Sequence, residues 1–319
     1  MSVCFVTRAL PGPALDRLAE RHSTTIWPGD LPPTPQELRA QLAAVDPEAL
    51  ICTVSDRIDA AALDAAPHLR AIANYAVGYD NVDVAAAAAR GIAVGNTPDV
   101  LTDATADLAF ALLLAAARRV PEGIALVRDG GWVTWEPSRS LGAAVFGATL
   151  GIVGGGRIGT AVARRAAGFE MTVLVHSRST ELTFEELLER SDFVSLHCPL
   201  TEETRHLIDD SALSRMNSTA ILINTSRGGV VDQDALARAL HDAQIAGAAL
   251  DVTDPEPLSA DHALLRAPHL LVLPHVGSAT VTAREAMTRL AVENALAALD
   301  GQPMPHPVSP PAAQVRDAS

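Results

Sequence analysis

Cysteine is scarce in this chain, and the cysteines that it has stand far apart. They are Cys4, Cys52 and Cys198, an odd number with no Cys-x-x-Cys pair. Disulfide frameworks and zinc sites need paired or closely spaced cysteines. The sequence therefore predicts neither a disulfide nor a bound metal.

Positive charge is also in short supply. The chain has 38 acidic residues against 24 basic ones, which gives a formal net charge of −14 at pH 7. A surface of this sign repels nucleic-acid phosphates and anionic membranes. We expect no nucleic-acid partner, and an anionic substrate would have to be attracted by local positive groups.

Long apolar runs are missing as well. The longest run, residues 108–117, is about half as long as a membrane span and lies between Asp107 and Arg118. We interpret it as a buried helix. The first residues lack the basic stretch and apolar core of a secretory signal. These absences predict a cytoplasmic protein that does not bind membranes.

The chain does have enough hydrophobic residues, 48% of 319, to build sizeable cores. Domains typically contain roughly 100–200 residues, so this length predicts two of them. Alternating strands and helices are predicted in the first part of the chain. The strands are expected at 3–7, 49–53, 69–73 and 92–94, and the helices at 13–21, 60–65 and 84–90.

A long helix is predicted at 104–120, with Thr102 or Asp103 as its N-cap. A loop that contains Trp132 and Trp135 follows it, and a second series of strands and helices begins at residue 149. The strands of this series are expected near 149–153, 172–175, 193–196, 220–223, 247–251 and 270–273. Six strands with intervening helices predict a doubly wound parallel sheet. A last helix at 284–300 and an extended proline-rich tail complete the chain.

A glycine motif of the form G-x-G-x-x-G lies between the strand at 149–153 and a helix at 160–167. Gly154 allows a tight turn, Gly156 lets the backbone approach a pyrophosphate, and Gly159 lets the helix pack on the strand. The helix N-terminus then offers N–H groups to phosphates. An ordinary loop is the alternative, but the strand before and the helix after favour dinucleotide binding.

The next strand indicates which dinucleotide is bound. NAD sites usually place a carboxylate near its end, where it bonds the ribose 2′-hydroxyl. Here the strand ends in His176, Ser177, Arg178 and Ser179, with no carboxylate. Serine and arginine can bind a 2′-phosphate instead. This predicts a preference for NADP(H), with NAD(H) possible; the alternative is that Arg178 is only a solvated surface charge.

Three polar segments follow later strands of the second series directly. They contain Arg227, Glu256 and His275, and the carboxyl ends of parallel strands are where open α/β sheets bind ligands. Arg227 can hold a carboxylate and polarise a carbonyl, and His275 can deliver a proton. Glu256 can orient His275 by a hydrogen bond. Each residue alone could be a surface ion pair, a solvated acid or a buried histidine, but their shared placement favours keto-acid reduction.

These motifs, together with residues 76–83 and 97–108, resemble the D-isomer-specific 2-hydroxyacid dehydrogenases, and within them the glyoxylate/hydroxypyruvate reductases. The resemblance implies that Arg227, Glu256 and His275 are catalytic and that the backbone N–H groups of Val77 and Gly78 help to bind the substrate carboxylate. The cofactor contacts predicted from the glycine turn and the resemblance are Thr105, Gly154, Gly156, Arg157, Ile158, Gly159, Ser177, Arg178, Ser179, Cys198, Pro199, Thr225, Ser226, Asp251, Gly277 and Ser278.

The resemblance also implies an α/β architecture of two domains, each a doubly wound parallel sheet. A flavodoxin-like substrate domain would comprise residues 1–99 and 284–319, and a Rossmann cofactor domain residues 100–283. A homodimer is expected through the helix at 104–120 and its following loop. Trp132 and Trp135 would either shape the neighbouring subunit's substrate pocket or pack in the dimer interface.

One feature departs from the family pattern. The chain passes from Arg178 to the strand at Phe193 through residues 183–190 alone, where the family has a further helix and short strand. We expect a more exposed adenine end of the cofactor site. D-lactate, D-glycerate, phosphoglycerate or phosphite dehydrogenases, and a dinucleotide-sensing scaffold without activity, are the alternative functions; Ser55 and Arg57 are near the pocket that would choose the substrate.

Overall fold

The computed structural model describes residues 1–309, and two of the tail prolines, Pro310 and Pro311, lie outside this range. The chain forms two compact units. Met1–Leu101 and residues 279–309 form the first, and Thr102–Ser278 forms the second. The divisions fall at 101/102 and 278/279, whereas the sequence placed them at 99/100 and 283/284. The second shifts most, because the last helix begins earlier than expected.

The first unit is a five-stranded parallel sheet in the order β2-β1-β3-β4-β5, the flavodoxin-like order. The returning helix Val281–Leu299, capped by Thr280, packs on β3 and β4. The elements in chain order are β1 Val3–Val6, α1 Ala14–Arg21, β2 Ser23–Ile26, α2 Pro35–Val45, β3 Ala49–Thr53, α3 Ala60–Asp64, β4 Ala71–Tyr75, α4 Val84–Ala89 and β5 Ala93–Gly95.

Two elements of this unit are absent from the sequence predictions. Strand β2 is a short edge strand whose Ser-Thr-Thr-Ile sequence is mostly exposed, so it carries no hydrophobic signal. Helix α2 did carry a signal. Thr34 and Glu37 form a capping box around Pro35, which is a helix-start pattern that can be read from sequence.

The second unit is a six-stranded parallel sheet in the order β11-β10-β9-β8-β6-β7. Its strands agree with the predicted ones to within one residue at almost every end. The elements in chain order are α5 Thr102–Ala117, α6 Val120–Arg128, β6 Thr149–Val153, α7 Arg157–Ala166, β7 Thr172–His176, α8 Phe184–Arg190, β8 Phe193–Leu196, α9 Asp210–Arg215, β9 Ile221–Asn224, α10 Gln233–His241, β10 Gly247–Leu250 and β11 Leu270–Val272.

The long helix predicted at 104–120 corresponds to α5, which ends three residues early, and a separate helix α6 follows it. Helix α5 begins at Thr102, so Thr102 and Asp103 lie in its first turn and neither is its N-cap as predicted. It ends at Ala117, and the left-handed backbone of Arg119 (φ 50°) separates it from α6. None of the side chains of α6 is buried.

Strand β7 is the edge strand of this sheet, which explains the short connection between Arg178 and the strand at Phe193. A Rossmann sheet usually has a further strand outside this position, but no strand of residues 1–309 pairs with the outer side of β7. The chain instead passes through α8, which begins with a capping box of Thr183 and Glu186, and returns to the sheet as β8. The segment missing from the sequence therefore corresponds to a missing edge strand.

Membrane association has no support in the helices. Among those of residues 1–309, none combines the length and apolar character that a membrane span requires. The cytoplasmic location stays a prediction from the sequence.

Candidate active site

The glycine motif is a tight turn with an open face. A Cβ atom on Gly154 would lie 2.6 Å from the His197 carbonyl carbon, and one on Gly159 would lie 2.1 Å from the Gly154 oxygen. Gly154 also has φ 105°, in the region that favours glycine. Around Gly156, by contrast, nothing described lies within 4 Å of such an atom. This space, at the start of a helix, fits a pyrophosphate.

Helix α7 begins three residues earlier than predicted, at Arg157 rather than at residue 160. Arg157 and Ile158 therefore lie in its first turn, where N–H groups have no partner within the helix. The N-cap residue is Gly156, and no side chain caps this end. The positive end of the α7 dipole at this position therefore favours an anionic ligand.

Hydroxyl groups line the turn that follows β7. The Ser177 Oγ would lie 3.6 Å from a Cβ atom on Gly155, so this hydroxyl faces the glycine turn. It also hydrogen-bonds the Ser179 Oγ at 3.0 Å. The Ser177 N–H donates to the Thr180 Oγ1 at 2.8 Å. Thr180, which sequence reasoning missed, therefore closes this hydroxyl-rich turn.

Arg178 lies exposed in the same turn. The Arg178 charge helps to lower the pKa of the Glu203 carboxyl group, after the larger effects of hydrogen bonds from the Thr201 hydroxyl and from the backbone of Glu203 itself. The guanidinium is therefore on the surface and within electrostatic reach of one carboxylate. This placement suits a phosphate-binding group that remains solvated until a ligand arrives.

Residues 197–199 follow β8 and form the wall behind the glycine turn. Burial lowers the pKa of His197 to about 4 and raises the pKa of Cys198 to about 11, so both side chains are neutral near pH 7. The His197 Nε2 pairs with the Ser195 Oγ at 2.8 Å, and its Nδ1 has no partner among the described residues. The Cys198 thiol, a predicted cofactor contact, is accordingly a small neutral group.

Asn224, at the end of β9, folds the arginine segment. Its Nδ2 donates to the Arg227 carbonyl at 2.9 Å, and its Oδ1 accepts from the Ser226 N–H at 2.9 Å. The Arg227 guanidinium is partly exposed and donates to the Ser226 carbonyl at 3.0 Å. The Thr225 hydroxyl is buried without a partner in the described chain. Such an orphaned group fits a site that a ligand completes.

One residue at the end of β10 holds the histidine segment. Asp251 accepts from three consecutive N–H groups: its carbonyl accepts from His275 at 2.8 Å, its Oδ1 from Val276 at 2.8 Å and its Oδ2 from Gly277 at 2.7 Å. Asp251 is almost fully buried, and this burial raises its pKa against the opposing effect of the two carboxylate hydrogen bonds. His275 has φ 53°, an uncommon conformation for a residue with a side chain.

Glu256 and His275 form the central pair of the site. The Glu256 Oε2 lies 2.8 Å from the His275 Nδ1, and its Oε1 accepts from the Thr253 N–H at 3.2 Å. A carboxylate can only accept, so Nδ1 carries a proton and Nε2 is left to face a ligand. Both side chains are about one-third exposed, at 31% and 36%. The pair can therefore deliver a proton to a bound molecule.

The three predicted catalytic segments lie on neighbouring strands. Gly228 shows how closely two of them pack: a Cβ atom there would lie 1.9 Å from the Thr253 carbonyl carbon. Thr105 of α5 lies on the histidine segment, since its Cγ2 would be 3.4 Å from a Cβ atom on Gly277. Every predicted catalytic and cofactor residue belongs to the second unit, and Ser278 is its last residue.

Val77 and Gly78 belong to the first unit, just after β4. Their carbonyl groups are fixed by side chains: the Asn96 Nδ2 donates to the Val77 oxygen at 2.8 Å and the Asn74 Nδ2 to the Gly78 oxygen at 2.9 Å. Neither N–H group donates to any acceptor in residues 1–309. The loop therefore presents two free donors, as an anion-binding turn does. Sequence reasoning missed both asparagines.

Comparison with known proteins gives a consistent result. The family described as "D-isomer specific 2-hydroxyacid dehydrogenase, NAD binding domain" matches residues 110–277. A glyoxylate reductase of Korarchaeum cryptofilum is 48% identical over 98% of this chain and 97% of its own length. A glyoxylate reductase of Pyrococcus horikoshii is 48% identical over 93% of each chain.

Solved structures agree with this result. A Thermus thermophilus protein superposes with a TM-score of 0.91 at 50% identity, covering 96% of this chain and 100% of its own. An NADPH-dependent glyoxylate/hydroxypyruvate reductase of Sinorhizobium meliloti, in complex with NADP and malonate, has a TM-score of 0.85 at 35% identity and covers 97% of each chain.

Proposed function

Because the chain belongs to the D-isomer specific 2-hydroxyacid dehydrogenase family, we propose that it reduces glyoxylate or hydroxypyruvate to the D-2-hydroxy acid with NADPH. The observation that carries this proposal is the Glu256–His275 pair, 2.8 Å apart, on the strand-end segments beside Arg227. The relatives named glyoxylate reductase support this choice of substrate, as does the NADPH-dependent reductase.

The residues of this chain supply the proton, orient the proton donor and bind the substrate carboxylate. When bound, NADPH supplies the hydride for the 2-carbon. His275 gives a proton from Nε2 to the carbonyl oxygen, and Glu256 orients the ring and balances its positive charge. Arg227 polarises the carbonyl and holds the carboxylate. For the Val77 and Gly78 N–H groups, the family resemblance supports a role as further donors to the substrate carboxylate. The chain contains no lysine, so carboxylate binding depends on arginine, histidine and backbone donors.

The preference for NADPH is supported by the turn after β7. Its polar side chains are the hydroxyls of Ser177, Ser179 and Thr180 and the guanidinium of Arg178, with no carboxylate in the turn itself. This set can bind a 2′-phosphate, whereas the usual NAD site would place an acid there. NADH can still bind through the glycine turn, so we expect a preference and not an absolute requirement.

The test is a matrix of glyoxylate, hydroxypyruvate and pyruvate against NADPH and NADH, followed by cofactor absorbance. We expect the highest kcat/KM with NADPH and one of the first two acids. Highest activity with pyruvate would indicate a D-lactate type instead. If NADPH binds but no 2-keto acid is reduced, the chain is a dinucleotide sensor and the proposal is wrong.

We also propose that the protein forms a homodimer through α6 and the loop after it. The apolar side chains of Val120, Ile124 and Val127 on α6 are 44–57% exposed, and Trp132 and Trp135 are 64% and 78% exposed. Apolar side chains gathered in one stretch of surface typically mark an interface. Sedimentation should give a dimer, and Ile124→Glu should give a monomer; a monomeric native protein would contradict this.

A further inference from the structure

The side chain of Gln233, at the first position of α10, is almost fully buried against the acid segment. Its amide group makes two hydrogen bonds to the backbone of one residue, Asp254. The Oε1 accepts from the Asp254 N–H at 3.1 Å, and the Nε2 donates to the Asp254 carbonyl. A primary amide can donate and accept in this paired way without carrying a charge.

This contact holds the segment that carries the catalytic acid. Asp254 lies two residues before Glu256, and the neighbouring Thr253 N–H donates to the Glu256 carboxylate. The segment between β10 and Glu256 has no regular secondary structure, so its position depends on such contacts. Losing the Gln233 contact would free the Asp254 backbone and, with it, the carboxylate that orients His275.

The anchor itself is rigid. Asp232 caps α10 by accepting from the Asp234 and Ala235 N–H groups, both at 3.0 Å. Leu236 and Leu240 of the same helix are buried in the core of the unit. Gln233 thus attaches the irregular segment between β10 and Glu256 to the well-packed helix α10.

We propose that Gln233 is a positioning residue for the reduction, which acts through the Asp254 backbone to hold Glu256 against His275. The inference rests on the proposed function, because it assigns Gln233 a role in the proton transfer of that reaction.

The decisive variant is Gln233→Glu, because its behaviour should depend on pH. A protonated carboxyl group can donate to the Asp254 carbonyl and accept from its N–H, as the amide does, whereas an ionised one cannot donate. Asp232 and Asp234 flank position 233 in the chain, and Asp234 pairs with His262 at 3.7 Å. The Asp254 carboxylate and Arg205, 3.4 Å apart, belong to the surroundings of the segment that Gln233 contacts. Three acids against one arginine and one histidine, together with burial, should delay ionisation into the working pH range.

We expect Gln233→Glu to keep kcat within about threefold of the native enzyme near pH 5.5 and to lose about tenfold or more near pH 8, with little change in the KM for the keto acid. Gln233→Met, which has no amide, should lose kcat at every pH. The matched control is Gln36→Glu, an exposed first-turn position of α2, which should follow the native profile.

A second measurement keeps the inference separate from the proposed activity. Hydrogen exchange of the peptide covering residues 251–258 should be faster in Gln233→Met than in the native protein, whether or not any keto acid is reduced. If the native enzyme reduces no keto acid, the proposed function fails while this exchange result still stands. Unchanged exchange, or equal kcat losses for Gln233→Glu at both pH values, would overturn the role of Gln233.

Discussion

The Asp251 carboxylate accepts the Gly277 N–H at 2.7 Å and the Val276 N–H at 2.8 Å, and with the bond from the His275 N–H to the Asp251 backbone carbonyl these fix the shape of the histidine segment. One side chain thereby joins the ends of β10 and β11. Because Glu256 is on the same segment as Asp251, the donor and its orienting acid share one anchor.

Replacing Asp251 should therefore reduce activity without removing a reacting group. Asp251→Asn leaves one oxygen for two N–H groups and turns an NH2 group towards the second. Hydrogen bonds to charged groups are worth about 1.5–3 kcal/mol, so we expect the free energy of unfolding to fall by about 2 kcal/mol and kcat by about tenfold or more. Urea unfolding and steady-state kinetics measure both; native values for both would contradict the anchoring role.

The proton-transfer pair should show graded effects. His275→Ala removes the proton donor and should lower kcat by about 10²–10⁴-fold, since this is the usual contribution of general acid catalysis. Glu256→Gln keeps a hydrogen-bonding partner for the ring but removes the negative charge. Its kcat should fall less than that of His275→Ala, because the proton donor remains and the ring keeps an orienting partner. A native rate in His275→Ala would exclude His275 from the reaction.

The location of this pair could be predicted from sequence for a simple reason. Buried parallel strands are read directly from short apolar runs, and the polar residues that end them must meet at one edge of the sheet. Arg227, Glu256 and His275 lie in the segments that follow the ends of β9, β10 and β11. The glycine turn was equally readable, because Gly154 and Gly159 have local steric reasons to be glycine.

The supporting contacts could not be predicted in this way. Gln233 and Asp254 are 21 residues apart, and Asp251 and Gly277 are 26 apart, so no local periodicity relates them. Strand β2 was missed because its side chains are exposed and polar. Sequence patterns thus identify groups at strand ends, whereas the hydrogen bonds that orient those groups depend on tertiary packing.

Cofactor choice should depend on Arg178. Arg178→Ala removes a charge that can pair with a 2′-phosphate, so the KM for NADPH should rise about tenfold while that for NADH changes by less than about twofold. High salt should weaken NADPH binding to the native protein more than to the variant. Arg39→Ala, in α2 of the other unit, is the matched control. An equal rise in the KM for both cofactors would mean that Arg178 does not bind the 2′-phosphate of NADPH.

Stability at low pH should depend on His197. Burial lowers the pKa of this side chain from 6.5 to about 4, so the folded protein keeps it neutral while the unfolded chain takes up a proton below pH 6.5. The stability that it contributes is complete above pH 6.5 and is lost as the pH falls towards 4, at about 1.4 kcal/mol per pH unit and about 3 kcal/mol in total.

Urea unfolding near pH 7 and near pH 4.5 measures this effect. Between these pH values the free energy of unfolding should fall less in His197→Gln than in the native protein, by about 2 kcal/mol. His241→Gln, at the exposed end of α10, controls for the loss of one histidine and should keep the native loss. The same loss in His197→Gln as in the native protein would show that another group drives the acid instability.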